Sequence, residues 1–277
     1  MNEQVIMQKA GLLRSVMRAG MRAASFFFPN TPRIWQTKYH GMPIVVWANE
    51  SIGRRIILSG RFEESEIKHF EEFIDEGSVC LDVGANIGTH AIVMGRLAGA
   101  NGKVYAFEPN RGNSLLIEMN TVLNKLKNVF VVRRPVSDRS GLTMIKAPGD
   151  RDSSLDYYVS KGSDSPSAVF TAIESVTIDD FCNSLEILPN FVKIDVEGAE
   201  FEVLKGAHGL LSNSANCCVM VEVVEEYLNR FGNTVLGMCE FMSDIGFHAY
   251  AKRNNKLVKV LPSDISAENV FFIKKAD

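Results

Sequence analysis

The chain has 277 residues, 46% of them hydrophobic and 23% charged, with a formal net charge of −3. This composition is ordinary for a globular protein, and the small net charge excludes the global basic field with which many proteins attract nucleic acid. We therefore expect one enzyme-sized domain with a modest extension, and no nucleic-acid partner.

The cysteines indicate the compartment. There are five, an odd number, and none forms a C-x-x-C pair; they are Cys80, Cys182, Cys217, Cys218 and Cys239. This usage is typical of a reducing compartment and of a protein without a zinc site. We predict a cytoplasmic protein.

Residues 9–28 form a basic and apolar segment. Arg14, Arg18 and Arg22 are spaced by four, so a helix would stack them on one side. No apolar run reaches the ~20 residues that span a bilayer. One interpretation is an amphipathic helix lying on an anionic membrane surface. The other is a helix that packs on its own domain or on a partner subunit, which would suit a homodimer.

We divide the chain into an N-terminal extension, residues 1–54, and a main domain, residues 55–277. Short strands are predicted over residues 44–47 and 56–58, which are apolar runs bounded by Gly, Pro and Asn. Residues 63–74 follow with apolar positions on one helical face, and Gly77 ends that helix.

Residues 79–88 carry the strongest signal of the chain. An apolar run ends in Asp82 and is followed by the turn Gly84-Ala85-Asn86-Ile87-Gly88. A helix-compatible segment and a second apolar run, ending in Glu108, come next. This is the sequence form of a strand, a tight turn, a helix and a parallel strand, and nucleotide-like ligands bind where such strands end.

The residues of this unit favour S-adenosylmethionine over NAD. Glu108, at the end of the second strand, can accept two hydrogen bonds from a ribose diol, which suits both cofactors. Asn86, however, occupies the middle glycine position of the dinucleotide fingerprint, and the third glycine is absent. Asp82 can bind the ammonium of the methionine end, directly or through water, and backbone N–H groups of the next helix can bind its carboxylate. An NAD-dependent oxidoreductase remains the alternative.

The later elements continue an α/β alternation. We predict strands over residues 129–132, 142–146, 191–195, 218–223, 247–251 and 270–273, helices over residues 114–123, 178–185, 199–211 and 233–245, a loop over residues 148–168, and a hairpin that turns at Asn254-Asn255.

A second chemical signal lies at the ends of two later strands. Asp195 ends an apolar strand that should neighbour the first strand across the topological switch point, facing the sulfonium end of the cofactor. Glu222 ends the next strand, in an apolar run where burying a carboxylate costs free energy, so we expect it to have a functional role. For Glu197 and Glu200 two interpretations remain open: they belong to the site, or they are solvated charges at the start of a helix.

Five motifs in this order resemble those of the FkbM-type methyltransferases, from about residue 55 to the end. They are residues 82–88, 107–109, 136–138, 176–180 and 193–200. The resemblance implies a class I methyltransferase fold, a Rossmann-like three-layer α/β sandwich with a mostly parallel seven-stranded sheet and one antiparallel strand.

The resemblance also implies a reaction and a site. The reaction is O-methylation of a sugar, glycolipid, polysaccharide or secondary metabolite with S-adenosylmethionine. Carried over by position, Gly84, Asn86 and Gly88 line the methionine end, Glu108 binds the ribose, and Ser137 and Asp138 bind the adenine.

For the chemistry we expect in-line methyl transfer to an alcohol oxygen, with Asp195 as the catalytic or substrate-orienting acid and Glu222 beside it. A divalent metal held by Asp195 and Glu222 is the second choice, because the sequence has no dedicated metal motif. A non-catalytic cofactor-binding module is the remaining alternative.

Overall fold

The computed structural model describes residues 33–146, 170–254 and 256–274. Its strands, in chain order, are β1 (Ile34–Tyr39), β2 (Met42–Trp47), β3 (Val79–Val83), β4 (Lys103–Phe107), β5 (Val129–Val132), β6 (Gly141–Lys146), β7 (Phe170–Ser175), β8 (Phe191–Ile194), β9 (Cys218–Val223), β10 (His248–Arg253), β11 (Lys256–Lys259) and β12 (Glu268–Ile273). Its α-helices are α1 (Ser51–Ser59), α2 (Glu64–Phe73), α3 (Thr89–Leu97), α4 (Arg111–Leu123), α5 (Ile178–Leu185), α6 (Glu200–Lys205), α7 (His208–Asn213), α8 (Glu225–Arg230) and α9 (Val235–Asp244).

The central sheet of the described residues has the order β11-β10-β12-β9-β8-β3-β4-β5. Neighbours from β9 to β5 are parallel, and β12 lies antiparallel between β9 and β10. This confirms the predicted class I fold. The difference is an eighth strand, β11, which the predicted hairpin adds antiparallel to β10 at the edge.

The topology places the candidate site. The chain runs from β3 outward through β4 to β5, then returns to pair β8 with the other side of β3. The carboxyl ends of β3, β4, β8 and β9 therefore meet at one edge, at the switch point where ligands bind in open α/β sheets. Both faces of these strands are buried, which explains why they read as continuous apolar runs.

The β1–β2 hairpin is fastened to α4 by one buried side chain. The Asn120 amide donates to the carbonyl oxygens of Val45 and Ile87, at 3.1 and 2.9 Å, and its Oδ1 accepts from the Val45 N–H at 2.6 Å. Ile87 belongs to the glycine turn after β3. The hairpin is thus tied to the same turn that we expect to hold the cofactor.

Two predicted elements are wrong. Residues 56–58 are not a strand but lie in α1, because a short apolar run does not distinguish a strand from a buried helix turn. Gly53, in the same helix, packs so closely that a Cβ there would lie 1.9 Å from the Trp47 carbonyl oxygen. The helix predicted over residues 199–211 is broken into α6 and α7 at Gly206, where a Cβ would lie 2.1 Å from the Ser137 carbonyl oxygen.

Two predicted segments lie wholly outside the described residues, namely the basic segment 9–28 and the loop 148–168. Within the described ranges, no helix is long and apolar enough to cross a bilayer.

Candidate active site

A cavity of about 330 Å³ opens at the carboxyl edge of the sheet. Residues from the ends of four parallel strands reach it, namely Gly84 after β3, Glu108 after β4, Asp195 after β8 and Glu222 in β9. Residues far apart in sequence therefore share one wall.

Gly84 lets the ends of three strands close on one another. Its φ is 84°, a left-handed conformation, and a Cβ at this position would lie 1.8 Å from the Asp195 carbonyl oxygen. The N–H groups of Gly84 and Ala85 both donate to the Phe107 carbonyl oxygen, at 3.1 and 3.0 Å. No residue with a side chain fits here without moving β3 away from β8.

Asn86 and Gly88 shape the rest of the turn. Asn86 has a φ of 49°, and its side-chain Oδ1 is buried without a hydrogen-bond partner among the described residues. Gly88, with a φ of 85°, caps the start of α3, and a Cβ there would lie 3.1 Å from Ile117 Cγ2. Asn86 lines the cavity, whereas Gly88 supports the turn against α4.

Glu108 is oriented by the backbone on both sides. Its Oε2 accepts from the Asn86 N–H at 2.9 Å, and its Oε1 accepts from the Asn110 N–H at 2.8 Å. Each carboxylate oxygen has a second lone pair, so the side chain can still accept from a diol. Burial raises the pKa of Glu108 to about 8.

Asp82 lies behind the turn and is fully buried. Within the described part of the chain, neither of its carboxylate oxygens has a hydrogen-bond partner, and burial raises its pKa. An unpaired buried carboxylate is costly, so a cationic group at this place would be stabilising. The orphaned oxygens of Asp82 and Asn86 are hydrogen-bond acceptors, so they fit the ammonium of a methionine-like ligand beside a turn that only glycine permits.

Ser137 and Asp138 lie close to the cavity without lining it. Ser137 is buried, and its hydroxyl donates to Asp138 Oδ1 at 3.1 Å, while Asp138 is exposed. The residues just before them, 134–136, do line the cavity. The adenine-binding role of Ser137 and Asp138 stays a prediction.

Asp195, Lys193 and Glu222 form a charge cluster in which Lys193 is buried and the two carboxylates are half-buried. Lys193 Nζ lies 2.8 Å from Asp195 Oδ2. Burial alone would lower the pKa of Lys193, but the Asp195, Asp82 and Glu66 carboxylates raise it above its ordinary value. Burial would raise the pKa of Asp195, yet Lys193 and a hydrogen bond with Glu222 hold it below the ordinary range.

Glu222 has the opposite behaviour. The neighbouring Asp195 charge, together with burial, raises the pKa of Glu222 to about 9. At neutral pH Glu222 is therefore protonated and donates its hydrogen bond to the ionised Asp195. The pair presents one carboxylate and one carboxylic acid to the cavity.

Glu200, which the sequence left open, closes the turn after β8. Its Oε1 accepts from the N–H groups of Val196 and Gly198, at 3.1 and 2.9 Å. Glu197, with a φ of 56°, lies in that turn and lines the cavity.

Sequence reasoning missed a second polar cluster. Glu63 at the start of α2, Glu66 within it and His90 in α3 lie together beside the cavity. Burial raises the pKa of Glu63 and of Glu66 to about 7 in each case. Two glutamates at the start of a helix indicate only a favourable interaction with the helix dipole. The one signal in the sequence that could have pointed to this cluster is His90, which follows the glycine turn by two residues.

Comparison with known proteins agrees with this architecture. A family model described as a methyltransferase FkbM domain matches residues 82–249. A relative from Haloferax volcanii, named hexuronic acid methyltransferase AglP, is 30% identical over 184 residues, which are 66% of this chain and 71% of that protein. A probable cobalt-precorrin-6B C(15)-methyltransferase (decarboxylating) from Thermoplasma volcanium is 28% identical over 137 residues, 47% of this chain and 68% of that protein.

Among solved structures, a SAM-dependent O-methyltransferase from Thermotoga maritima is 12% identical with a TM-score of 0.45, covering 91% of this chain and 82% of its own. The M. jannaschii TYW2 structure in complex with AdoMet is 13% identical with a TM-score of 0.46, covering 88% of each chain. The family match spans the glycine turn, Glu108, Asp195 and Glu222. The chain belongs to the FkbM methyltransferase family and is an S-adenosylmethionine-dependent methyltransferase.

Proposed function

We propose that this methyltransferase O-methylates a hydroxyl of a sugar, in a free, glycan-bound or lipid-linked form. The observation that carries the proposal is the pair Asp195–Glu222 at the cavity wall, beside the glycine turn. With the one carboxylic proton shared between them, the two side chains still offer free oxygen lone pairs that can accept from neighbouring sugar hydroxyls. The relative that acts on a hexuronic acid supports the same acceptor class.

The cofactor roles follow the geometry of the turn. Asp82 would bind the ammonium, Gly84, Asn86 and Gly88 would hold the carboxylate end against the start of α3, and Glu108 would accept from the ribose diol. When bound, S-adenosylmethionine supplies a methyl group already activated by its sulfonium. The protein's remaining work is alignment and exclusion of water.

Asp195 is the residue that would act on the acceptor. Held ionised by Lys193, it accepts the hydrogen bond of the hydroxyl and aims the oxygen lone pair at the methyl group. Its lowered pKa makes it a weak base, so the proton would reach it as the new C–O bond forms rather than before. Glu222 fixes the orientation of Asp195 through their hydrogen bond.

The test is methyl transfer from a deuterated methyl donor to a panel of glycosides of glucuronic acid, galacturonic acid and glucose. Mass spectrometry locates the label, and mild alkali distinguishes a stable methyl ether from a labile methyl ester. We expect an ether on a ring hydroxyl. A label lost in alkali would contradict O-methylation of a hydroxyl. Binding of the cofactor without transfer to any acceptor, including cell-extract glycans, would favour the non-catalytic module.

A further inference from the structure

The cluster Glu63, Glu66 and His90 has the geometry of a coordination site. His90 Nε2 lies 3.1 Å from Glu63 Oε2 and 3.3 Å from Glu66 Oε2, and one ligand atom from each residue falls within 4.8 Å of the others. Metal–ligand bonds of about 2.0–2.2 Å put neighbouring ligand atoms at about 2.8–3.6 Å. The two short distances are therefore those of ligands on adjacent corners of one coordination sphere.

His90 supplies a second, independent observation. The residue is 5% exposed, yet among the described residues its Nε2 atom has no hydrogen-bond partner, although two carboxylate oxygens lie within 3.3 Å of it. A buried imidazole nitrogen that approaches two carboxylate oxygens without bonding to either is directed at the space between them. Such an unpaired atom is costly to bury unless a ligand satisfies it.

The ligands are held by contacts outside the cluster. Glu66 Oε1 accepts from Asn269 Nδ2 at 2.8 Å, which leaves Oε2 for the site. The His90 ring packs edge-on against Phe70, with 5.2 Å between ring centroids. Supporting contacts of this kind fix the direction of metal ligands.

The surroundings of the cluster are rich in carboxylates. Asp82, Asp195, Glu63 and Glu66 lie near one another, whereas Lys193 Nζ is committed to Asp195 at 2.8 Å. Carboxylates gathered in this way are stabilised by protonation, by pairing with a cation or by coordination to a metal. A divalent ion would therefore be stabilised at this place.

We propose that Glu63, Glu66 and His90 bind one divalent transition-metal ion at the wall of the cavity. Two carboxylates and one imidazole are a mixed hard and borderline ligand set, which suits Mn²⁺, Fe²⁺ or Zn²⁺ better than Ca²⁺. Glu63 and His90 line the cavity, so further coordination positions face the acceptor space, an assignment that rests on the proposed function. This place differs from Asp195 and Glu222, where the sequence alone put the second-choice metal.

The test titrates the full-length protein with Mn²⁺, without cofactor or acceptor, and measures free Mn²⁺ by electron paramagnetic resonance. We expect one ion per chain. Glu63→Gln and His90→Asn should each weaken binding at least tenfold, whereas Glu71→Gln, an exposed glutamate of the same helix, should leave it unchanged. Absence of Mn²⁺ binding by the parent, or equal binding by all variants, would overturn the proposal.

Two further measurements keep the outcome decisive. Loss of Mn²⁺ in Glu222→Gln together with retention in Glu63→Gln would place the ion at the Asp195–Glu222 pair instead. If the variants fail to fold, spin-echo spectra of Mn²⁺ on the parent must show coupling to a histidine nitrogen, and its absence would overturn the site. Because no acceptor enters these assays, their failure is distinct from failure of sugar methylation.

Discussion

Glu108 is a buried carboxylate whose direction is set by two backbone N–H groups rather than by another charge. We expect Glu108→Ala to weaken binding of both S-adenosylmethionine and S-adenosylhomocysteine by roughly 1–3 kcal/mol, because the hydroxyls of the bound ribose diol lose a buried acceptor. Calorimetry measures both affinities. Glu118→Ala is the matched control, because Glu118 lies exposed on α4 and pairs with Arg133. Equal affinities for parent and Glu108→Ala would remove Glu108 from the ribose site.

Asp195 connects the cofactor turn to the acceptor. We expect Asp195→Asn to keep cofactor affinity and lose methyl transfer, because the amide preserves shape but neither accepts the proton nor carries charge. This variant leaves buried Lys193 without its counter-ion, which is destabilising. The double variant with Lys193→Met removes that unpaired charge and should regain stability without regaining turnover. Transfer at the parent rate by Asp195→Asn would make Asp195 structural.

Glu222 makes the protein's stability pH-dependent. Its pKa is about 9 in the fold against 4.5 ordinarily, so between these values the unfolded chain releases a proton that the folded chain keeps. The contribution of Glu222 is thus fully present at low pH and is lost as pH rises through this window. Glu222→Gln keeps a donor for Asp195 and does not titrate. Urea unfolding should show that the free energy of unfolding of the variant rises relative to that of the parent as the pH increases to about 9. A difference between the two proteins that does not change with pH would refute the raised pKa of Glu222.

The site residues that the sequence predicts have partners close to them in the chain, whereas those that it does not predict have partners in another element. Gly84, Asn86 and Glu108 belong to one strand–turn–helix–strand unit, whose spacing is visible in sequence. The cluster Glu63, Glu66 and His90 joins α2 to α3 across a boundary between motifs. Its members read separately as helix-start charges and a turn-adjacent histidine, and only tertiary packing brings them together.

At the level of elements, the buried parallel strands were predictable because each is an apolar run closed by Gly, Pro or a charged residue. The errors fall where packing overrides local pattern. Residues 56–58 are apolar, two of them β-branched, but lie in α1, and α6 ends where Gly206 packs on the Ser137 backbone. The eighth strand arises from a hairpin whose turn was predicted, although its place in the main sheet was not.

The β1–β2 hairpin depends on α4 through Asn120. We expect Asn120→Ala to destabilise the fold strongly, because three buried backbone groups lose their partner and each costs about 1–3 kcal/mol when unsatisfied. Urea unfolding measures the loss, again against Glu118→Ala on the exposed side of the same helix. A loss below 1 kcal/mol would mean that the hairpin is not fastened by this residue.

For the whole molecule, the family match begins at residue 82, whereas β1, β2 and α1 share a buried core with the β3 turn and α4. The cofactor signals all lie from residue 82 onward, and the basic segment 9–28 precedes the described residues. The division at residues 54 and 55 stays a prediction. A test of the extension should therefore cut before β1, so that the hairpin and its contacts with α4 remain.

We expect residues 9–28 to determine location or assembly rather than catalysis. A protein starting at Thr31 should retain cofactor binding, whereas the full chain should float with anionic vesicles and lose that binding as salt screens charges beyond ~8–10 Å. A full-length variant with Arg14→Gln, Arg18→Gln and Arg22→Gln is the matched control for charge. It keeps Phe26, Phe27 and Phe28, so it separates electrostatic attraction from apolar insertion.

Equal flotation of full and truncated chains would remove the membrane role, and a smaller oligomer on truncation would assign the segment to subunit packing. Membrane placement would bring the cavity to a lipid-linked sugar, the acceptor form that a peripheral enzyme reaches most readily.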